Sequence, residues 1–176
     1  VFIMGYSNGA QMAMRVALEA PETVAAIAAV SANLPVADNS VCGHRDTPVA
    51  VLMMDGTADP VNPFKGGEVR LGKLGSRGMV MSTEETASYW AMLAGYVGEA
   101  ETDTLPHRDP ADPTSVNVWD WHEPTMKPVI VFAIQGGGHV VPNPHFKFPA
   151  MLGPVTGDLD APQTIWRFFN STLTSR

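Results

Sequence analysis

The pentapeptide Gly5-Tyr6-Ser7-Asn8-Gly9 lies between two segments of different periodicity, and that placement constrains the chain more than any other feature. Before it, Val1-Phe2-Ile3-Met4 is continuously apolar and reads as a buried strand through residue 5. After it, residues 8–20 read as a helix stopped by Pro21. Gly-x-Ser-x-Gly at a strand-to-helix turn is the pattern of a nucleophile elbow, in which a cramped turn pushes the serine hydroxyl out of the sheet. The flanking glycines are expected to keep Cβ atoms out of the crossing of turn and helix. The helix N-terminus adds partial positive charge and free N–H groups where an oxyanion would develop. The same five residues also fit an ordinary turn in which Ser7 or Asn8 caps the helix. What separates the two readings is whether a carboxylate and a histidine follow in that order, each just beyond a buried strand.

Both follow. Residues 48–54 (Pro-Val-Ala-Val-Leu-Met-Met) read as a strand that runs into Asp55-Gly56-Thr57-Ala58-Asp59-Pro60. Asp55, at the strand's end, is expected to bond the N–H groups of its own turn as a structural Asx residue. Asp59 stands further out, at the carboxyl edge where open α/β sheets bind ligands, and is the preferred acid. Residues 129–134 form another apolar strand, followed by Gln135-Gly136-Gly137-Gly138-His139. Three glycines let the loop pass close to its neighbours and aim His139 inward. A phosphate loop is the rival for such a run, but neither Lys-Ser nor Lys-Thr follows and no helix pattern starts there. His44, His107, His122 and His145 lack paired metal-ligand spacing, so no metal site is expected, and His145 is near enough in sequence to line the rim.

The order Ser7, Asp59, His139 is that of α/β-hydrolases and differs from the chymotrypsin-like and subtilisin-like orders. In that scheme His139 is general base to Ser7, Asp59 holds the imidazole tautomer, and the Asn8 backbone N–H is one oxyanion donor. The second donor is expected from an early loop that would precede residue 1. An α/β-hydrolase peptidase shares this triad order. An inherited but idle triad in a binding or scaffold module is the reading from a different class.

Between these motifs the chain alternates strands and helices, giving an α/β class with a doubly wound, mostly parallel sheet. Residues 23–31 read as a buried strand, 56–80 as a long loop, and 82–94 as a helix opened by a Ser82–Glu85 capping box. Residues 99–114 read as a surface connection and 116–121 as a strand. A last helix, capped by Asp160, runs to about residue 169 with Ile165, Trp166 and Phe169 facing the core. With 176 residues, 45% hydrophobic and 16% charged, residues 1–176 are expected to be one domain. The net charge of −7 argues against nucleic-acid or anionic-membrane partners, and no apolar stretch is long enough to span a bilayer. The lone Cys42 rules out an internal disulfide and is expected to be an idle thiol. Because the first residue already reads as mid-strand, the expectation is a C-terminal catalytic portion lacking its N-terminal strands. Its first strand would be an exposed edge open to self-association, and any targeting signal would lie upstream.

Taken together, Gly5-Tyr6-Ser7-Asn8-Gly9-Ala10, residues 55–64 (Asp-Gly-Thr-Ala-Asp-Pro-Val-Asn-Pro-Phe) with Gly66-Gly67, and Gly136-Gly137-Gly138-His139 resemble the polyhydroxybutyrate-depolymerase-like esterases. That family also holds feruloyl and acetylxylan esterases. The tail, residues 156–161 followed by 165–169, is similar to the family's closing helix. The resemblance implies Ser7, Asp59 and His139 as a triad, hydrolysis of a small or polymeric ester without metal or organic cofactor, and a secreted or periplasmic bacterial protein. Met54 stands where such proteins often have histidine, and Val141 where tryptophan is common. Tyr6, Val141 and Pro142 are the candidate substrate contacts.

Overall fold

The computed structural model describes residues 1–174 apart from Cys42, Leu71, Lys73 and Leu74, so the expectation for Cys42 lies outside the described residues. The elements run β1 (Phe2–Tyr6), α1 (Asn8–Glu19), β2 (Ala26–Val30), β3 (Ala50–Gly56), β4 (Gly67–Arg70), β5 (Ser76–Val80), α2 (Thr83–Leu93), β6 (Glu101–Thr104), β7 (Ser115–Trp121), β8 (Val129–Gln135) and α3 (Ala161–Thr174). One sheet has the order β1-β2-β3-β8-β7-β6, and β4 and β5 pair separately as an antiparallel hairpin. The first four strands of the large sheet are parallel, while β7 and β6 are antiparallel additions at one edge.

Side-chain alternation explains why the central strands are apolar at every position. Ile27 and Ala29 of β2, Val51 and Met53 of β3, and Val129 and Val131 of β8 pack into one core with α1 and α2. Ala26, Ala28 and Val30, Ala50, Leu52 and Met54, and Phe132 and Ile134 pack into a second core with α3. Helices therefore cover both faces of the sheet, which makes the fold α/β. In α1, Ala10, Ala13, Met14, Ala17 and Leu18 form the buried stripe, and its alanines let the helix lie close to the strands. The α2 capping box is present: Ser82 Oγ accepts the Glu85 N–H at 3.0 Å and Glu85 Oε2 accepts the Ser82 N–H at 2.8 Å.

Several elements depart from the sequence expectations, among them α3, which runs to Thr174 rather than to about residue 169. Residues 56–80 are not a featureless loop, since they contain the β4–β5 hairpin. Its strands are short and glycine-containing, and they show no alternation that would mark them alone. Residues 99–114 include β6, whose Glu-Thr-Asp-Thr sequence is exposed at every position and holds to the sheet through backbone pairing with β7. The strand expected from residue 23 begins at Ala26, because Pro21–Thr23 form a single 3₁₀ turn. In α3, Trp166 is 62% exposed, and Phe168 packs in the core with Ile165 and Phe169.

Candidate active site

Ser7 occupies the turn between β1 and α1 at φ +55°, ψ −123°, a left-handed backbone that costs a non-glycine residue about 1–3 kcal/mol. The turn is clamped by Ser7 N–H donation to Val30 O (2.8 Å) and by Ser7 O, which accepts the Ala10 N–H at 2.9 Å. A Cβ at Gly5 would come within 2.2 Å of Gly9 O, so only glycine permits this crossing. Gly9 departs from expectation: a Cβ there would meet no described atom within 4 Å. The Ser7 side chain makes no capping bond to α1. Its Oγ lies 2.9 Å from His139 Nε2. Among the described residues the Asn8 N–H has no hydrogen-bond partner, and it belongs to the first turn of α1.

Asp59 and His139 meet because the loops that follow the adjacent parallel strands β3 and β8 are zipped together. Thr57 N–H donates to Ile134 O and Ala58 N–H to Gly137 O, both at 2.9 Å, while Gly136 N–H donates to Thr57 Oγ1 at 2.8 Å. Gly138 packs so tightly that a Cβ would fall 2.0 Å from Leu152 O. Asp59 Oδ1 accepts the N–H groups of Val61 (2.7 Å) and Asn62 (2.8 Å), which leaves Oδ2 for His139 Nδ1 at 2.8 Å. Both side chains are buried, 1% and 5% exposed. An ionised carboxylate only accepts, so Nδ1 is the protonated nitrogen and Nε2 of a neutral ring faces the serine as an acceptor.

Asp55 has a different use from the one expected. It bonds across elements rather than within its own turn: Oδ1 accepts the Ala32 N–H at 3.0 Å, and the Thr83 hydroxyl stands 3.5 Å from Oδ2. Burial pushes its carboxyl well above the usual carboxylate range, and the charge of Asp59 adds to that effect. The bonds from Ala32 and Thr83 oppose it.

The other expected site residues fall around this relay in unexpected ways. The Tyr6 hydroxyl donates to His139 O at 2.7 Å, and its ring lies 5.2 Å from the imidazole, so the phenol is committed to holding the histidine. Burial raises the Tyr6 pKa, with a contribution from Asp59. Pro142 is buried, and its carbonyl accepts the Ala161 N–H at the start of α3 (3.0 Å). Val141 is half-buried against the α3 core. Neither lines the cleft beside Ser7. His145 sits in an exposed turn, where its N–H donates to Asn143 Oδ1 at 3.0 Å. Ser31 went unnoticed in the sequence. It has φ +53°, is 1% exposed, and donates from Oγ to Val140 O at 3.2 Å. Hydroxyls from the ends of β1 and β2 thus pin consecutive carbonyls of the histidine loop.

A cleft of about 340 Å³ opens beside Ser7, Asn8 and His139. Its other walls are Gln11, Val61 and Asn62, together with Val69 and Arg77 from the hairpin. Residues 56–80 carry no strand signal of their own, so nothing in the sequence marks Val69 and Arg77 as cleft residues. Asn8, Gln11 and Arg77 also line a neighbouring cavity of about 410 Å³ walled mainly by α1 and by residues from the 34–44 segment. Among the described residues no group of three or more His, Cys, Asp or Glu side chains could hold a metal ion. Likewise, no described helix is long and apolar enough to cross a membrane.

No family model matches the chain. Among curated proteins it is similar to one described as "Putative esterase NocK" from Nocardia uniformis subsp. tsuyamanensis. The two are 28% identical over 171 residues, covering 93% of this chain and 49% of that protein. The chain therefore spans about half the length of this relative.

Proposed function

We propose that the chain carries the nucleophile, base and acid of a serine carboxylester hydrolase with the α/β-hydrolase fold. The observation that carries this reading is the unbroken series Asp59 Oδ2, His139 Nδ1, His139 Nε2, Ser7 Oγ, with contacts of 2.8 and 2.9 Å at the carboxyl edge of a parallel sheet. Similarity to a protein described as an esterase supports the ester as substrate.

In this mechanism Nε2 takes the Ser7 proton as Oγ attacks the ester carbonyl, and the carbonyl oxygen becomes an oxyanion beside the Asn8 N–H. The imidazolium then returns the proton to the departing alcohol, leaving an acyl-serine. Water, deprotonated by the same nitrogen, releases the acid and restores the hydroxyl. Asp59, held by two backbone N–H groups, fixes the tautomer and offsets the imidazolium charge. No step needs a metal or organic cofactor. The polyester and feruloyl or acetyl polysaccharide esters implied by the family resemblance are the substrate classes to test, and their polymers go with an exported protein.

Parallel rate measurements on short acyl esters and aminoacyl amides test the reading. Ester hydrolysis that is lost in Ser7→Ala is expected. Preferential amide cleavage would make the protein a peptidase, and turnover that survives Ser7→Ala would remove the serine mechanism.

A further inference from the structure

Two side chains in the wall of the Ser7 cleft take no part in the proton relay, yet both bring unmet polarity to it. Asn62 is fixed beside the relay by its own N–H bond to Asp59 Oδ1 (2.8 Å). The residue is 3% exposed, and neither Oδ1 nor Nδ2 of its amide has a hydrogen-bond partner among the described residues. A buried amide without partners is destabilising unless a water or a bound molecule supplies the missing donor and acceptor, and this one stands in the wall of the cleft.

Arg77 is the second. It is exposed on β5 and lines both the Ser7 cleft and the larger cavity beside it. Among the described residues its guanidinium makes no ion pair or hydrogen bond. Among the described residues no Asp or Glu side chain lines either cavity, although the protein has 18 acidic residues against 11 basic ones. An arginine-bearing cleft with no carboxylate in its described lining favours an anion near the guanidinium, against the field of the whole molecule. A single unpaired guanidinium matches the charge and planar shape of one carboxylate.

We propose that the substrate is an ester carrying a second, ionised carboxyl group, which Arg77 pairs while the Asn62 amide hydrogen-bonds polar atoms near the scissile bond. This rests on the serine-hydrolase reading. It narrows the substrate from esters in general to acidic esters: half-esters of diacids, or esters whose alcohol bears a carboxylate.

The test uses the full-length protein and two matched ester pairs. One pair sets the mono-phenyl ester of adipic acid against phenyl hexanoate, which differ by a carboxylate in place of a methyl group on the acyl side. The other sets para-carboxyphenyl hexanoate against phenyl hexanoate and moves the charge to the alcohol side. In at least one pair, kcat/KM is expected to favour the charged ester by about tenfold, with the preference shrinking as salt is added. Arg77→Gln should bring that ratio to within about twofold of unity, and Arg77→Lys should restore part of it. Asn62→Leu should lower kcat/KM on every ester while leaving the melting temperature unchanged or raised, since an apolar side chain replaces an amide without partners. A fall in melting temperature together with activity would make Asn62 structural and overturn its part. Ser7-dependent hydrolysis with no charge preference in either pair, or a preference untouched by Arg77→Gln, would overturn the acidic substrate and leave the hydrolase reading standing. Absence of any Ser7-dependent hydrolysis would remove both.

Discussion

Among the described residues, two histidine–aspartate pairs have nearly equal geometry and unequal prospects. His139 Nδ1 lies 2.8 Å from Asp59 Oδ2, and His107 Nδ1 lies 2.7 Å from Asp158 Oδ2. In both, the carboxylate is almost wholly buried and also accepts backbone N–H groups, from Val61 and Asn62 in one case and Arg108 in the other. The difference lies at the far side of the ring. The His139 side chain is 5% exposed and its Nε2 meets the Ser7 hydroxyl, whereas the His107 side chain is 37% exposed and its Nε2 has no hydrogen-bond partner among the described residues. The second pair ties residues 107 and 108 to the segment leading into α3, helped by Asp112 Oδ2 accepting the Gly157 N–H at 2.8 Å. A histidine held by a carboxylate is thus a structural unit that occurs twice. In the proposed mechanism, location at the sheet's carboxyl edge beside a strained serine is what gives one copy a chemical use.

Substitutions can break this contrast directly. The largest effect belongs to Ser7→Ala, which should lower kcat by about a millionfold, read as ester hydrolysis at saturating substrate. Asp59→Asn should cost about 10⁴-fold by favouring the wrong imidazole tautomer, while Asp158→Asn leaves kcat unaltered. Equal losses in the two would erase the distinction between the pairs. Tyr6→Phe should lower stability by about 1 kcal/mol in denaturant melts, because the His139 carbonyl loses its donor.

Two pH effects follow with opposite origins. The Asp55 carboxyl binds its proton more tightly when folded, so stability should decline as pH rises from the ordinary aspartate pKa through the raised one. Asp55→Asn should flatten that decline in melts recorded across pH. The smallest effect belongs to His107, whose pKa is raised by its hydrogen bond to Asp158 and by the charges of Asp158, Asp112 and Asp109, against some desolvation. Its stabilisation is fully present below the ordinary histidine pKa and fades as pH rises through the raised value. The melting difference between the protein and His107→Phe should therefore narrow from acid to alkaline pH.

Much of this arrangement was legible in the chain. Gly5-Tyr6-Ser7-Asn8-Gly9 predicts the elbow because apolar run, glycine turn and amphipathic helix are all local signals. Asp59 and His139 were legible as residues just past buried strands, since parallel neighbours bring their following loops to one edge. The roles of Asp55 and Tyr6 were not, because each depends on a partner distant in sequence: Ala32 and Thr83 for one, the His139 carbonyl for the other. The β4–β5 hairpin was lost for a similar reason. Val69 and Arg77 carry no alternating pattern of their own, and only pairing turns their segment into a wall of the cleft.

Covalent labelling with a fluorophosphonate, followed by peptide mapping, tests the central claim most directly. The account predicts modification at Ser7 that is abolished in Ser7→Ala, sharply slowed in His139→Ala and unaffected in His107→Ala. Folded protein that stays unlabelled at Ser7, or labels equally fast without the His139 imidazole, would contradict it.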